Sequence, residues 1–241
     1  TAVDSVSLDV VPGKITGLIG PNGAGKTSFI DAVTGFTRAA EGSILVDGQD
    51  VTAVEASKRA RYGMSRSFQQ LELFEDLTVL DNLLAAASQP AWSSVLRDLV
   101  LPRRGASVGH AQAQWALHVL GVEAVANRMP GELSHGQRKL VGVARALAMK
   151  PQLVLLDEPA AGLDTAETAA MAERVRGLAQ HGIAVLLVDH DMSLVASVCD
   201  RVVVLDLGTV IATGAPTEVL ANPAVVAAYL GASATRGLGH G

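Results

Sequence analysis

Residues 20–27 read Gly-Pro-Asn-Gly-Ala-Gly-Lys-Thr. The octapeptide fits G-x-x-x-x-G-K-[ST], and its flanks fit too. An apolar run, Ile15 to Ile19, comes before it, and a helical pattern, Thr27 to Gly35, comes after it. In that pattern Phe29, Ile30 and Val33 fall at helical spacing and Gly35 serves as C-cap. The residue types share one physical purpose. Glycines let the backbone curl until several N–H groups face one anion, and the helix starting near Lys26 adds its positive end. Lys26 brings a point charge for the β and γ phosphates of a nucleoside triphosphate. The Thr27 hydroxyl is an oxygen ligand for Mg²⁺. Gly20, Pro21, Asn22, Gly23, Ala24, Gly25, Lys26, Thr27 and Ser28 are therefore the expected nucleotide contacts. Kinases, GTPases and motor ATPases share such a loop; the Asn-Lys-x-Asp reader of guanine is not found in the sequence.

Outward from the loop, the first third alternates. Val6-Ser7-Leu8-Asp9-Val10 reads as a half-buried strand, Pro12-Gly13 as a turn, and Gly42 to Gly48 as a strand running into a turn. This β-rich start predicts an antiparallel element beside the main sheet. From about Thr78 to Met129 the pattern is helical: Leu80, Leu83, Leu84 and Ala87 follow i, i+3, i+4, i+7, and Trp115, Val119 and Val122 do so more loosely. Pro102-Arg103-Arg104-Gly105 breaks this stretch, which reads as a helical insertion. Leu153 to Leu156 and Ile183 to Val188 are continuous apolar runs, as in a parallel sheet covered on both faces. Val202 to Leu205 and Val210 to Ala212 read as an edge hairpin, and Ala232 to Gly241 as a frayed tail. Lys58, Arg59, Arg61 and Arg66 read as a solvated basic face.

Composition narrows the classes. The chain has 241 residues, enough for one large domain or a domain with an insertion. Its net charge of −5 argues against a basic nucleic-acid binder, and its 3% aromatics against a base-stacking platform. Mean hydropathy is +0.32, yet no apolar run approaches the roughly 20 residues of a membrane span. The one cysteine, Cys199, excludes an intrachain disulfide and reads as a small core residue. No signal peptide is visible, which points to a reducing, cytosolic setting. The first residue is Thr1, which reads as a trimmed N-terminus.

Three further segments carry chemistry. Leu153-Val154-Leu155-Leu156-Asp157-Glu158 is a buried strand ending in two acids. Asp157 at the strand tip can hold Mg²⁺, and Glu158, pointing the other way along the pleat, can orient or deprotonate an attacking water. His190, after the next apolar run, can hydrogen-bond the γ-phosphate and that water. Leu133-Ser134-His135-Gly136-Gln137 precedes an amphipathic helix striped by Leu140, Val143, Ala144 and Leu147, with Pro151 beyond its end. Ser134 is its N-cap; the start is either a plain cap or a second anion site.

In this order the segments resemble the ATP-binding subunit of an ABC transporter, over about residues 3 to 231. The motifs are the loop at 20–27, a Q-loop in Ser67-Phe68-Gln69, the signature at 133–137, the Asp157-Glu158 strand, a D-loop ending at Asp164, and the switch residue His190. The resemblance implies an α/β P-loop NTPase fold, with a mainly parallel sheet, an N-terminal antiparallel β subdomain and an inserted helical subdomain. The division expected is a core of 1–75 and 146–231, a helical subdomain of about 76–145, and a flexible tail of 232–241. The resemblance also implies ATP hydrolysis with Mg²⁺ in a head-to-tail dimer. Ser134, Gly136 and Gln137 of one subunit would then face nucleotide held by the other, with Asp164 crossing the interface. Gln69 would touch Mg²⁺ or water and relay the state to the membrane permease subunits. A second ATPase subunit, homo- or heterodimeric, and indirectly a solute-binding protein, complete the implied partners. The implied place is peripheral, on the cytoplasmic face of the inner membrane.

Within the family the chain is most similar to the LivG-type branched-chain amino acid importer ATPases. Ser65 to Gln69, the insert around Trp92 to Arg104, Pro159 to Asp164 and Asn222-Pro223 to Gly231 carry this. Urea, amide and lipopolysaccharide transport ATPases share several of these features. DNA-repair members carry a long coiled coil, ribosomal members usually two cassettes, and a small-molecule kinase would not need the signature; none of these patterns suits this chain. His135 replaces the usual glycine of the signature. The family stacks adenine on an aromatic upstream of the first strand, and no aromatic precedes Phe29 here.

Overall fold

The computed structural model describes residues 2–67, 73–87 and 104–237. In chain order the helices and strands are β1 (Ile15–Ile19), α1 (Lys26–Thr34), β2 (Leu45–Val46), β3 (Gln49–Asp50), α2 (Ala56–Arg59), β4 (Met64–Ser67), α3 (Val79–Ala87), α4 (Arg104–Leu120) and α5 (His135–Leu147). Then follow β5 (Leu153–Asp157), α6 (Thr165–Gln180), β6 (Ala184–Val188), α7 (Met192–Val198), β7 (Arg201–Asp206), β8 (Thr209–Gly214), α8 (Pro216–Leu220) and α9 (Pro223–Gly237). Six strands form one sheet in the order β4-β5-β6-β1-β7-β8. All its pairings are parallel except β7–β8, the expected edge hairpin.

The apolar runs account for this sheet. All five residues of β1 and of β6 are buried, as strands with layers on both faces require. Alternate residues then serve two cores. Ile15, Ile19, Val154, Leu156, Val185 and Leu187 pack towards α3, α4, α5 and α6. Leu18, Leu155, Leu186 and Val203 pack with Ile30 of α1, Val46, Val51 and Met64. Between β4 and β5 the described residues form helices and turns only.

Several local expectations need correction. Val6, Leu8 and Val10 do turn inward onto the α1-side core, but residues 6–10 form no strand. Alternation buries one face whether or not the backbone finds a ladder partner. In the 42–48 segment only Leu45–Val46 is a strand. It pairs antiparallel with Gln49–Asp50 across Asp47 and Gly48, both at positive φ, as in a tight two-residue hairpin.

The break expected at Pro102 to Gly105 does not extend through Gly105. Arg104 and Gly105 begin α4, where first-turn N–H groups lack intrahelical partners anyway and a glycine costs little; Pro102 and Arg103 lie outside the described residues, as does nearly all of the Trp92 to Arg104 insert. Val122 lies past the end of α4 rather than on its stripe. The stretch from Ala232 is helical to Gly237, continuing α9, with Ala232, Ala234 and Arg236 as its good helix formers.

The basic stretch divides. Lys58 pairs with Glu55 at the surface, but Arg59 is 3% exposed. Its guanidinium donates to the carbonyls of Thr52, Val54, Ala32 and Val33, which closes the C-terminal end of α1. Arg66 is also drawn inward, as described below. Cys199 is the expected core residue, and burial pushes its thiol up to about 12.

Candidate active site

Parallel strands all point the same way, so the loops after their carboxyl ends share one edge, where open α/β sheets bind ligands. Register lines up Leu18 with Val188 and Val188 with Asp157. The segments that follow these positions are the 20–27 loop after β1, Glu158 after β5 and His190 after β6. The sheet therefore brings together three segments far apart in sequence.

The loop starts at Gly20, φ 152. A Cβ there would lie 2.1 Å from the carbonyl oxygen of Leu205 in β7, so only glycine fits. Pro21 and Ala24 are buried, Asn22 and Gly23 exposed. Gly25, in the left-handed region, is the N-cap of α1 with no side chain over the first turn. That leaves the N–H groups at the helix start available to an anion. Lys26 folds back and donates to the carbonyl oxygens of Gly20 (2.6 Å) and Pro21 (3.1 Å). Burial lowers the pKa of its ammonium, while Glu158 and Asp157 oppose the shift. Thr27 is exposed at the first turn and Ser28 is half-buried beside it.

Asp157 ends β5, and its Oδ2 accepts from Arg66 Nη2 at 2.8 Å. Arg66 Nη1 donates to Asp31 Oδ1 of α1 at 2.7 Å. Glu158 does not continue the pleat as expected. Its φ is 47, and its N–H donates to the Val188 carbonyl at 2.7 Å, so the backbone leaves β geometry just as the carboxylate reaches the edge. His190 Nδ1 stands 3.5 Å from Glu158 Oε1, too long for a good hydrogen bond but near enough for one intervening adjustment. His190 is largely exposed. Asp189 beneath it is 1% exposed; its Oδ1 accepts from the N–H groups of His190 (2.8 Å) and Asp191 (3.0 Å), fixing the histidine backbone. Burial raises the Asp189 carboxyl above its ordinary value.

The 133–137 segment forms a capping box. Ser134 Oγ accepts from Gln137 N at 3.2 Å, and Gln137 Oε1 accepts from Ser134 N at 3.1 Å. The Gly136 N–H donates to Glu167 Oε1 at 3.2 Å, so a carboxylate already sits at this helix start. Glu167 belongs to a second capping box with Asp164, the N-cap of α6, whose Oδ1 accepts from Glu167 N at 2.8 Å. Among the described residues no hydrogen bond joins Ser134–Gln137 to residues 20–28. Gln69 lies outside the described residues.

Sequence reading missed four residues. Charge pattern groups Arg66 with a solvated face, although it lies in a strand between buried Ser65 and Ser67. Asp31 is four residues after Thr27 and so shares its face of α1. Lys139 falls on the stripe of Gly136, Val143 and Leu147, and is buried; burial lowers its pKa, with Glu158 and Asp189 opposing. Glu167 three residues after Asp164 is a capping-box spacing.

Comparison with known proteins agrees with this geometry. Residues 3–161 match the family model described as ABC transporter, and residues 209–235 match that of branched-chain amino acid ATP-binding cassette transporter. The chain is 38% identical over 234 residues to the high-affinity branched-chain amino acid transport ATP-binding protein LivG of Escherichia coli (strain K12), covering 95% of this chain and 92% of that one. It is 34% identical over 229 residues to the lipopolysaccharide export system ATP-binding protein LptB of Haemophilus influenzae, covering 95% and 90%. Among solved structures, the ADP conformation of MJ1267, an ATP-binding cassette of an ABC transporter, superposes with a TM-score of 0.82 at 33% identity, covering 95% and 92%.

Proposed function

The chain belongs to the ABC transporter family, as one of its ATPases, and on that premise we propose that it powers import of branched-chain or other hydrophobic amino acids. The observation that carries the chemistry is the shared carboxyl edge of β1, β5 and β6, which gathers the phosphate loop, Asp157, Glu158 and His190. The solute class rests on the branched-chain match at residues 209–235 and on the likeness to LivG.

In this reading the amides of residues 20–25 and the α1 terminus hold the α and β phosphates of ATP. Lys26 leaves the Gly20 and Pro21 carbonyls for the γ-phosphate, an exchange of neutral for charge-assisted contacts. Mg²⁺ favours oxygen donors, usually one or two from protein with the rest from phosphates and water. The Thr27 hydroxyl and the Asp157 carboxylate fit that set, and Gln69 would add a side-chain oxygen. The ion would neutralise charge on the phosphates. Glu158 orients the lytic water and takes its proton, and His190 hydrogen-bonds the γ-phosphate beside it. Ser134, Gly136 and Gln137 serve the nucleotide of a second ATPase subunit, with Asp164 at that interface. This explains why they make no bond to their own phosphate loop. Closure of the pair would drive membrane permease subunits fed by a solute-binding protein. No described helix is long and apolar enough to cross a membrane, in keeping with peripheral attachment at the cytoplasmic face. The likeness to LptB supports a second reading, export of a lipidic solute.

The test is reconstitution of the chain in vesicles with its membrane permease subunits and solute-binding protein. ATP hydrolysis should rise when leucine-loaded binding protein is added, with leucine accumulating on the permease's far side. No stimulation by any branched-chain or other hydrophobic amino acid would overturn the import reading.

A further inference from the structure

Arg66 joins two carboxylates that belong to the two arms of the nucleotide site. Its strand neighbour in β5 is Leu155, two residues before Asp157, so Arg66 and Asp157 lie on the same face of the sheet. That face is the one covered by α1, since Leu155 and Ile30 share a core. From there Nη2 reaches forward to Asp157 Oδ2 (2.8 Å) and Nη1 reaches across to Asp31 Oδ1 (2.7 Å). The guanidinium side chain is 11% exposed and lies 5.9 Å from the Phe36 ring, which closes it in from the side of the loop after α1. Asp31 sits one helical turn beyond Thr27, on the same face of α1. One rigid planar cation thus ties the helix carrying Thr27 to the strand carrying Asp157. It also takes up Oδ2 of Asp157, which leaves Oδ1 for another ligand.

We propose that Arg66 is a positioning residue for the divalent cation that enters with the nucleotide: it braces α1 against β5 and so fixes the gap between the Thr27 hydroxyl and the Asp157 carboxylate. This rests on the nucleotide-binding reading above. The brace depends on both ends. A guanidinium can hold two carboxylates at fixed separation through two nitrogens; an ammonium is a single point and cannot. Groups that orient a metal ligand in this way typically change metal affinity about 10- to 100-fold when removed. The nucleotide contacts made by the loop amides and Lys26 do not pass through Arg66, so metal-free affinity should not depend on it.

The experiment titrates Mg²⁺ into the full chain at fixed fluorescent ATP analogue, with EDTA as the metal-free arm, for the parent, Arg66→Met, Arg66→Lys and Asp31→Ala. Metal-free affinity should stay within about twofold, while half-saturating Mg²⁺ rises about 10- to 100-fold in Arg66→Met. Arg66→Lys and Asp31→Ala should shift in the same direction by less. In an Asp157→Asn background, adding Arg66→Met should shift nothing further, because the brace then ends on no metal ligand. An unchanged Mg²⁺ midpoint in Arg66→Met overturns the proposal. So does a shift in Arg66→Met with none in Asp31→Ala, which would mean that Arg66 only neutralises Asp157. If Arg66→Met does not fold, Arg66→Lys and Asp31→Ala carry the same decision. If the parent binds the analogue with no response to Mg²⁺, it is the metal-dependent nucleotide reading that fails, and the proposal with it.

Discussion

Gly20→Ala tests whether the phosphate loop is held as tightly to the sheet as its contacts indicate. The new Cβ would lie 2.1 Å from the Leu205 carbonyl oxygen and 3.1 Å from the Ala24 side chain, where ordinary contact starts at 3.4 Å. The oxygen belongs to β7, which is bonded on both sides in the sheet, so no side-chain rotation relieves the clash. Loop and strand must separate by about an ångström, and overpacking of this kind costs about 1–3 kcal/mol. Backbone strain at φ 152 adds about 1–3 kcal/mol. Gly23→Ala is the control. It shares a positive φ, 84, but has nothing within 4 Å of the added carbon. The difference between the variants is therefore mainly the clash. For a chain of this size each kcal/mol moves Tm by roughly 2–4 °C, so Gly20→Ala should melt roughly 2–12 °C below Gly23→Ala. The same displacement shifts the loop amides that follow Gly20, so calorimetry should show the larger loss of ATP affinity in Gly20→Ala. Equal melting temperatures in differential scanning fluorimetry would refute the reasoning.

Glu158→Gln keeps the backbone turn and removes the base; ATP binding should persist, turnover should fall about 10²- to 10⁴-fold, and a dimer should accumulate on size exclusion with ATP. Phosphate release at the parent rate would exclude Glu158 as the base. Lys26→Ala loses charge-assisted phosphate contacts of about 1.5–3 kcal/mol, so the calorimetric Kd for MgATP should rise about 10- to 150-fold; an unchanged Kd counts against the loop. Asp189→Asn reports on the buried carboxyl. Burial raises the folded-state pKa, so as pH rises the unfolded chain releases this proton first, and the parent loses stability from the unfolded-state pKa up to the folded one. Asn still accepts the two N–H bonds without that loss. The variant should therefore melt above the parent at neutral pH, with the gap closing on acidification; a gap that ignores pH would refute this.

What the sequence made legible was what local physics decides. The Gly20 to Thr27 loop, with its preceding strand and following helix, needed no tertiary information, because glycine spacing, Lys26 and the Gly35 cap act within one turn of chain. Leu153 to Leu156 and Ile183 to Val188 announce doubly covered strands; that their tips share one edge follows from the order and register of the sheet. Residues 6–10 failed for the converse reason: alternation specifies a buried face, while a ladder also requires a neighbour that the pattern does not supply.

Arg59 and Arg66 show where charge patterning misleads. Lys58, Arg59, Arg61 and Arg66 are close in sequence, and counted as charge they suggest one wet surface. Arg59 instead meets two carbonyls at the end of α1 and those of Thr52 and Val54, and Arg66 meets two carboxylates separated from it by 35 and 91 positions. No short window of sequence holds Arg66 together with its carboxylates, or Arg59 together with the α1 carbonyls. Burial at such positions is decided by whether the fold supplies enough acceptors to replace water around a guanidinium, since an unpaired one would not be tolerated. Lys139 is likewise buried on an apolar stripe, with the charges of Glu158 and Asp189 acting on it. The charged groups that shape the site are therefore read poorly from charge density. They are read better from a conflict: a charged residue on an otherwise apolar stripe or strand, whose burial only a distant partner can explain.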